Sequence, residues 1–344
     1  MRIAIVASPF YPIPPVRYGG AERVIYNLIK GLKELDHKPI LLASGDSLVD
    51  CELIPIVEHS IGLPEVISPA YLKAQRAVEL TTARELKKLL PRIDIIHSHG
   101  FDMTALNRFP NITTLHTKIT FNDFKYYEKR KKHSYVTVSK NQQKSYPALN
   151  YVGAIYNGQD IAEFPIVTKP DEYLCFLGRM DPDKNPHLAV QLAINLGMKI
   201  KIAGKIDFDG VEYFKKEIKP YLGHPLVEYL GEINSARRIE LLSKAKCNLH
   251  PVNFHEPFGL TVIEAAYSGT PTLAIKRGSM SELIEDGKTG VLVEDFIEGF
   301  HKIDKCFAMD RKYIAQRSRK LFGYQKMTTD YIGVYKKVLK QAGR

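Results

Sequence analysis

Only four cysteines occur in the 344 residues, at positions 51, 175, 247 and 306. Their spacing contains no pair typical of a zinc site or a disulfide framework, which fits a protein of the reducing cytoplasm. No apolar stretch approaches the length that spans a bilayer. The apolar run at residues 2–7 is too short for a signal peptide and predicts a first strand. We therefore expect a cytoplasmic protein without a membrane-spanning segment.

Two common nucleotide-binding motifs are also missing. No G-x-G-x-x-G occurs, so a dinucleotide oxidoreductase is not expected. Gly287-Lys288-Thr289 resembles the end of a P-loop, but Glu282 occupies the position of its first glycine. The sequence therefore does not predict a P-loop nucleotide site.

Positive charge is abundant and concentrated. The net charge is +11, from 49 basic and 38 acidic residues, and segments 118–144 and 301–344 carry most of the excess. A basic face can attract nucleic acid, anionic lipid or phosphorylated substrates. It can equally be a solvated surface, and the charge alone does not decide between these.

The chain is long for one core and sufficient for two domains. Short apolar runs alternate with helical patterns, which predicts α/β architecture with two doubly wound, Rossmann-like domains. Strands are expected at 2–7, 39–43, 52–57, 93–97, 111–115 and 135–138, and then at 173–177, 199–203, 227–230, 247–251, 272–275 and 290–293. Helices are expected from Ala21, at 69–90, and then at 186–196, 211–222, 235–244, 260–268 and 279–285.

A polar turn at 157–160 and the corner at 169–171 predict a linker between the domains. The domains are therefore expected at 1–165 and 168–322. The segment 323–344 has helical apolar spacing and is expected to pack back on the first domain. Two such domains would face an inter-domain cleft, which is a preferred place for a polar ligand.

Two carboxylates, Glu256 and Glu264, flank a mostly apolar run. Pro257 disfavours a helical conformation for Glu256, which we place in a loop. Glu264 falls about one turn inside a short apolar helix, where a charge is costly unless it is hydrogen-bonded. The N–H groups that start this helix can bind anions or sugar oxygens, and they belong to Phe258, Gly259 and Leu260.

These carboxylates have a second interpretation. Glu264 could be a buried carboxylate paired with Lys276 or Arg277, and Glu256 could be an exposed loop acid. Reading the two as the acid/base pair of a glycosidase is a further alternative, which leaves nearby basic residues unexplained.

Strand ends supply further candidates, because ligands of such sheets gather at the carboxyl ends of the strands. Arg179 and Lys184 follow the first strand of the second domain and suit a diphosphate, or else form salt bridges with Asp181 and Asp183. Gly19-Gly20 before a helix can cradle phosphate or simply make a tight turn. Histidines 97, 99 and 116 end two strands; His97 is expected to be structural, and a metal site is not expected.

Four of these motifs occur in the order and spacing of the retaining glycosyltransferases of family four (group 1), which the chain resembles along nearly its whole length. The motifs are 18–23, 114–117, Gly178-Arg179 with Lys184, and E-P-F-G-L-x-x-x-E followed by A-x-x-x-G-T-P. The resemblance implies the GT-B fold and metal-independent sugar transfer from a nucleotide-diphosphate donor, with UDP-sugar favoured. It departs from common members at Gly204-Lys205, where a second glycine is often found.

The resemblance also implies roles for residues. Glu264 would accept the ribose hydroxyls, and Glu256 with the amides of 258–260 would hold the sugar hydroxyls. Arg179 and Lys184 would stabilise the departing diphosphate. The nucleotide-sugar site would further include Gly19, Gly20, Gly178, Glu232 and Ile233, and His116 would lie beside the donor sugar.

The acceptor substrate and the alternative functions remain open at this point. The acceptor could be a glycan, a lipid-linked molecule or a small molecule, and nucleic acid is not expected. The basic, aromatic-rich segment 121–133 could hold the protein at an anionic membrane or be a solvated helix. A sugar-nucleotide epimerase of the same twin-domain fold, or a non-enzymatic binder of anionic surfaces, are the other functions considered.

Overall fold

The computed structural model describes residues 1–62, 68–101, 106 and 108–344. The chain divides into two compact units. The first comprises Met1–Gln159 together with Tyr324–Arg344, and the second comprises Asp160–Gly323. The first boundary therefore lies six residues before the one expected from the sequence.

The first unit contains a parallel sheet in the order β3-β2-β1-β4-β5-β6-β7. Its strands are β1 Arg2–Val6, β2 Lys38–Ser44, β3 Glu52–Val57, β4 Ile95–Ser98, β5 Asn111–Leu115, β6 Tyr135–Thr137 and β7 Tyr151–Ala154. The helices are α1 Gly20–Glu34, α2 Pro69–Leu89, α3 Phe124–Glu128 and α11 Tyr324–Gln341. The central strands β1, β4 and β5 are almost wholly buried, as expected for a parallel sheet with covered faces.

Helix α11 packs on α1 in this unit. A Cβ on Gly31 of α1 would lie 2.2 Å from Thr328 Oγ1, so the two helices approach too closely for any larger residue there. The hydroxyl of Tyr324 donates to the Glu34 carboxylate at 2.8 Å. The apolar stripe predicted in the last segment is the buried face of α11, namely Met327, Tyr331, Val334, Tyr335 and Val338.

The second unit contains a parallel sheet in the order β10-β9-β8-β11-β12-β13. Its strands are β8 Tyr173–Leu177, β9 Lys199–Ala203, β10 Val227–Tyr229, β11 Cys247–His250, β12 Thr272–Ile275 and β13 Gly290–Val293. Its helices are α4 Pro186–Asn195, α5 Val211–Tyr213, α6 Ser235–Lys244, α7 Leu260–Tyr267, α8 Met280–Leu283, α9 Gly299–Phe307 and α10 Arg311–Phe322. One continuous apolar core packs between this sheet and helices α4 and α9.

Several elements differ from the prediction. Strand β7 and helices α9 and α10 were not anticipated. The helix expected at 211–222 is α-helical only over Val211–Tyr213, continues as a π-helical turn and ends in a 3-10 turn that contains Pro220. Proline supplies no N–H to continue the α-helical hydrogen bonds, which explains the break.

Candidate functional site

The loops that follow β8, β9 and β10 are joined by backbone hydrogen bonds. The N–H of Gly178 donates to Ala203 O at 3.1 Å, and that of Gly204 donates to Gly231 O at 2.9 Å. Gly204 has φ 153°, and a Cβ there would lie 1.7 Å from Gly178 O, so only glycine fits. This places the predicted Gly178 beside the loop that carries Glu232 and Ile233.

Arg179 lies at the end of β8 with two acidic neighbours. Its guanidinium is 3.1 Å from the Asp181 carboxylate and 3.6 Å from that of Asp207. The salt bridge to Asp181, considered as the alternative role of Arg179, therefore exists. About a third of the Arg179 side chain is exposed.

Lys184, Glu256 and His250 form a cluster that is largely buried. Glu256 Oε1 accepts from Lys184 Nζ, and Glu256 Oε2 lies 2.7 Å from His250 Nε2. The side chains are 16%, 14% and 5% exposed, respectively. Burial raises the pKa of Glu256, but the charge of Lys184 and the contact with His250 outweigh it, so the pKa lies well below its usual range.

The cluster corrects two sequence expectations. Glu256 is not an exposed loop acid, and Lys184 forms its ion pair with Glu256. His250 was missed, although it is the last residue of β11, C-N-L-H, and strand ends were already the expected positions of ligand-binding residues. Its place at the end of a predicted strand was therefore the only feature of the sequence that could have identified it.

The loop that contains Gly278 and Ser279 is hydrogen-bonded to the segment of Glu256 and Phe258. The N–H of Ser279 donates to Glu256 O at 3.1 Å, and Ser279 Oγ donates to Phe258 O. Gly278 has φ 57°, and a Cβ there would lie 2.5 Å from the Glu256 backbone. The turn from Glu256 to the start of α7, which carries Phe258, Gly259 and Leu260, is thus fixed by residues that were not singled out from the sequence.

Glu264 is buried and paired with Arg238 of α6. Its Oε1 contacts Arg238 Nη1, and the two side chains are 2% and 6% exposed. The sequence considered Lys276 or Arg277 as partners, and this was wrong. Lys276 instead lies 3.6 Å from Glu294, and Arg277 donates to Asn253 O. A charged residue inside an apolar helix is therefore compensated, but by a residue on a different helix.

In the first unit, Gly19 and Gly20 form the start of α1. Gly19 is the N-cap with φ 140°, and a Cβ there would lie 2.6 Å from Pro15 Cβ. The first-turn carboxylate of Glu22 is buried, and burial raises its pKa. The turn is thus tight by necessity, and a buried carboxylate already lies at this helix N-terminus.

Three histidines cluster where β4 and β5 end. His116 Nε2 lies 2.8 Å from His99 Nδ1, while His97 bonds to Tyr335 OH and Thr114 Oγ1, both at 2.7 Å. Burial lowers the pKa of all three and that of His116 to about 4. His97, expected to be structural, ties β4 to α11.

The described residues contain neither a candidate metal-binding cluster nor a helix that could span a membrane. Within residues 1–62, 68–101, 106 and 108–344, no group of three or more His, Cys, Asp or Glu side chains could hold a metal ion. No helix in the same part of the chain is long and apolar enough to cross a bilayer.

Comparison with known proteins agrees with these motifs. Residues 159–318 match the family model of glycosyl transferases group 1, and residues 18–157 match that of glycosyltransferase family 4. The chain is 24% identical to glycogen synthase of Mycobacterium tuberculosis, over 85% of this chain and 82% of that protein. It is also 24% identical to phosphatidyl-myo-inositol mannosyltransferase of Mycolicibacterium smegmatis, over 85% and 81%.

Solved structures share the fold. The Anabaena protein HepE in complex with UDP-glucose matches with a TM-score of 0.72 at 16% identity, over 98% of this chain and all of that chain. Two parallel sheets with flanking helices are common to both. The chain therefore belongs to the group 1 glycosyltransferases of family four and has the GT-B fold.

Proposed function

We propose that the protein transfers a sugar from a nucleotide-diphosphate donor to an acceptor hydroxyl with retention of anomeric configuration. The observation that carries this proposal is the largely buried cluster of Lys184, Glu256 and His250. It combines a fixed cation, from the loop after β8, with a fixed carboxylate in the loop that leads to the N-terminal amides of α7. A sugar diphosphate needs these three kinds of group.

The cations serve the departing diphosphate. When the glycosidic bond breaks, negative charge grows on the phosphate, and preorganised donors stabilise it without reorganisation. Arg179, Lys184 and the amides of Gly19 and Gly20 supply those donors in our proposal. No metal ion takes part in it.

The state of Glu256 argues against glycosidase chemistry. A general acid needs a carboxyl whose pKa is raised, and a nucleophile needs a free oxygen facing the sugar. Glu256 has a lowered pKa, and both of its oxygens contact basic side chains. It therefore accepts hydrogen bonds from the sugar hydroxyls. The leaving phosphate takes the proton of the attacking hydroxyl of the acceptor substrate. The new bond to the sugar forms on the same face from which the phosphate leaves.

Glu264 is proposed to bind the ribose. A carboxylate can accept about four hydrogen bonds, so the contact with Arg238 does not by itself exclude binding of ribose hydroxyls. Because Glu264 is 2% exposed, binding requires side chains around it to move. The backbone of Glu232 and Ile233 would meet the base, and His116 would contact the donor sugar.

UDP-sugar is the favoured donor. HepE, which shares the fold, binds UDP-glucose, and the sequence resemblance favoured the same nucleotide. GDP- and ADP-sugars are the competing donors.

The acceptor is proposed to be lipid-linked, with the basic, aromatic-rich segment 121–133 resting on an anionic membrane. Phe121 and Tyr126 of this segment are exposed, and Arg130 stacks on Tyr126 at 3.8 Å. An anionic leaflet contributes about 1 kcal/mol per basic residue near its surface. A relative named for acting on phosphatidyl-myo-inositol supports a lipid acceptor.

The test is incubation with a panel of UDP-, GDP- and ADP-sugars, with and without EDTA, followed by product analysis. We expect transfer to an added acceptor, unaffected by EDTA. Interconversion of the donor without an acceptor would identify an epimerase instead. Absence of turnover with every donor, in a folded protein that binds anionic vesicles, would favour the non-enzymatic binder.

A further inference from the structure

His99 and His116 form a pair at the carboxyl ends of β4 and β5. His99 Nδ1 lies 2.8 Å from His116 Nε2, and the rings stack with centroids 5.1 Å apart at an interplanar angle of 19°. Strands β4 and β5 are parallel neighbours, with Ser98 opposite Thr113. The sheet itself therefore brings the two rings together.

The two rings have different surroundings. His99 is 6% exposed, and its second nitrogen, Nε2, is buried with no hydrogen-bond partner in the described part of the chain. His116 is partly exposed. Among the described residues, its ring makes no hydrogen bond other than the one to His99. His116 Nδ1 is therefore available to a ligand.

One hydrogen atom between two neutral imidazoles can be placed in two ways. If His99 donates from Nδ1, its buried Nε2 is a bare lone pair and His116 carries its hydrogen on Nδ1. If His116 donates from Nε2, His99 must carry its hydrogen on the buried Nε2, where no acceptor lies. Buried N–H groups without an acceptor are rare in native proteins, which favours the first arrangement.

We propose that His99 is a positioning residue, which donates its Nδ1–H to His116 Nε2 and thereby fixes His116 in the tautomer that presents an Nδ1–H to the ligand. His97 cannot replace it, because both nitrogens of His97 bond to hydroxyl groups. A fixed N–H donor suits an oxygen of the donor sugar. That last step rests on the proposed function, whereas the tautomer does not.

The test is ¹⁵N NMR of the imidazole nitrogens in histidine-labelled protein at pH 7. The signals of His116, one of 11 histidines, are assigned by their loss in His116→Gln. We expect wild-type His116 to carry its hydrogen on Nδ1. His99→Phe keeps a ring of similar size without the donor, so His116 should become a mixture of tautomers. His99→Asn places an amide N–H near the position of Nδ1–H, so the wild-type tautomer should return.

His133→Phe is the matched control, because His133 lies 3.2 Å from Thr113 Oγ1 on the same β5 and its loss leaves the pair intact. A wild-type His116 protonated on Nε2, or a His99→Phe protein with an unchanged His116 tautomer, overturns the proposal. With the donor found in the panel, His99→Phe should lower kcat more than it raises KM, and His99→Asn should restore kcat. Wild-type kcat in His99→Phe overturns the positioning role. Failure of the wild type to turn over any donor counts against the proposed function alone, since the NMR measurement needs no substrate.

Discussion

Substitution of Glu264 by glutamine separates the role of this carboxylate in folding stability from its proposed role in binding the ribose. Glu264 and Arg238 are both buried, so the variant leaves the guanidinium without its counter-ion. Breaking a buried ion pair on one side costs about 3–5 kcal/mol. Because glutamine keeps one carbonyl oxygen as an acceptor, we expect a loss near the lower limit, about 3 kcal/mol in the free energy of unfolding.

The double variant Arg238→Met/Glu264→Gln removes both charges. Replacement of a buried pair by neutral residues of similar volume is often neutral, so its stability should lie within about 1 kcal/mol of wild type. Glu240→Gln is the control of the same chemistry, because Glu240 pairs with Arg237 and Lys244 on the exposed face of α6. It should leave the urea midpoint unchanged.

Affinity for UDP, measured by calorimetry, gives the second readout. Loss of charge-assisted hydrogen bonds to ribose, each worth about 1.5–3 kcal/mol, should weaken binding at least about tenfold, or 1.4 kcal/mol. The double variant should remain weak although its stability is restored. Unchanged UDP affinity in a folded Glu264→Gln protein refutes the ribose role, and unchanged stability refutes the importance of the pair.

Three further predictions concern the cations, the histidines and the basic segment. Arg179→Ala and Lys184→Ala should each lower kcat about 10²-fold or more, because each removes a preorganised donor to developing charge. The control Lys201→Ala on β9 should leave kcat unchanged. A wild-type kcat in both variants would show that the diphosphate does not bind at this site. The pKa of His116 is lowered from 6.5 to about 4, so between these pH values the unfolded state binds a proton that the folded state does not. In urea unfolding, the contribution of neutral His116 to stability should therefore be fully present above pH 6.5 and be lost as the pH falls toward 4. His116→Asn should flatten that dependence, and an identical slope in the variant would contradict the assignment. Sedimentation should show binding to anionic but not neutral vesicles that weakens with salt, and the absence of binding at low salt would leave a solvated surface.

The sequence predicted the positions of strands better than it predicted which charged side chains pair with one another. Strands β8, β12 and β13 lie where the short, mostly apolar runs placed them, because such runs bounded by turns have few other solutions in a parallel sheet. Strand β7 was missed because Y-V-G-A is short and carries a glycine. Helix α10 was missed because its buried positions include Arg311, which bonds to backbone oxygens of Val167, Ser243 and Ala245.

Partners in the site depend on sheet order, which no local pattern encodes. Lys184 and Glu256 are 72 residues apart and were selected separately for different roles. They meet because β8 and β11 are neighbours in the sheet. The pairing of Arg238 with Glu264 likewise follows from the packing of α6 on α7. Lys276 and Arg277 are nearer to Glu264 in the sequence, but nearness in sequence does not determine which helices pack together.

The central claim is tested most directly by following the transfer reaction by ¹H NMR for wild type and Lys184→Ala, with the donor and acceptor found in the panel. An α-configured donor should give an α-linked first-formed product, and the rate should fall about 10²-fold or more in the variant. A β-linked product would contradict retention. An unchanged rate in folded Lys184→Ala would show that the cluster of Lys184, Glu256 and His250 is not where the sugar is transferred.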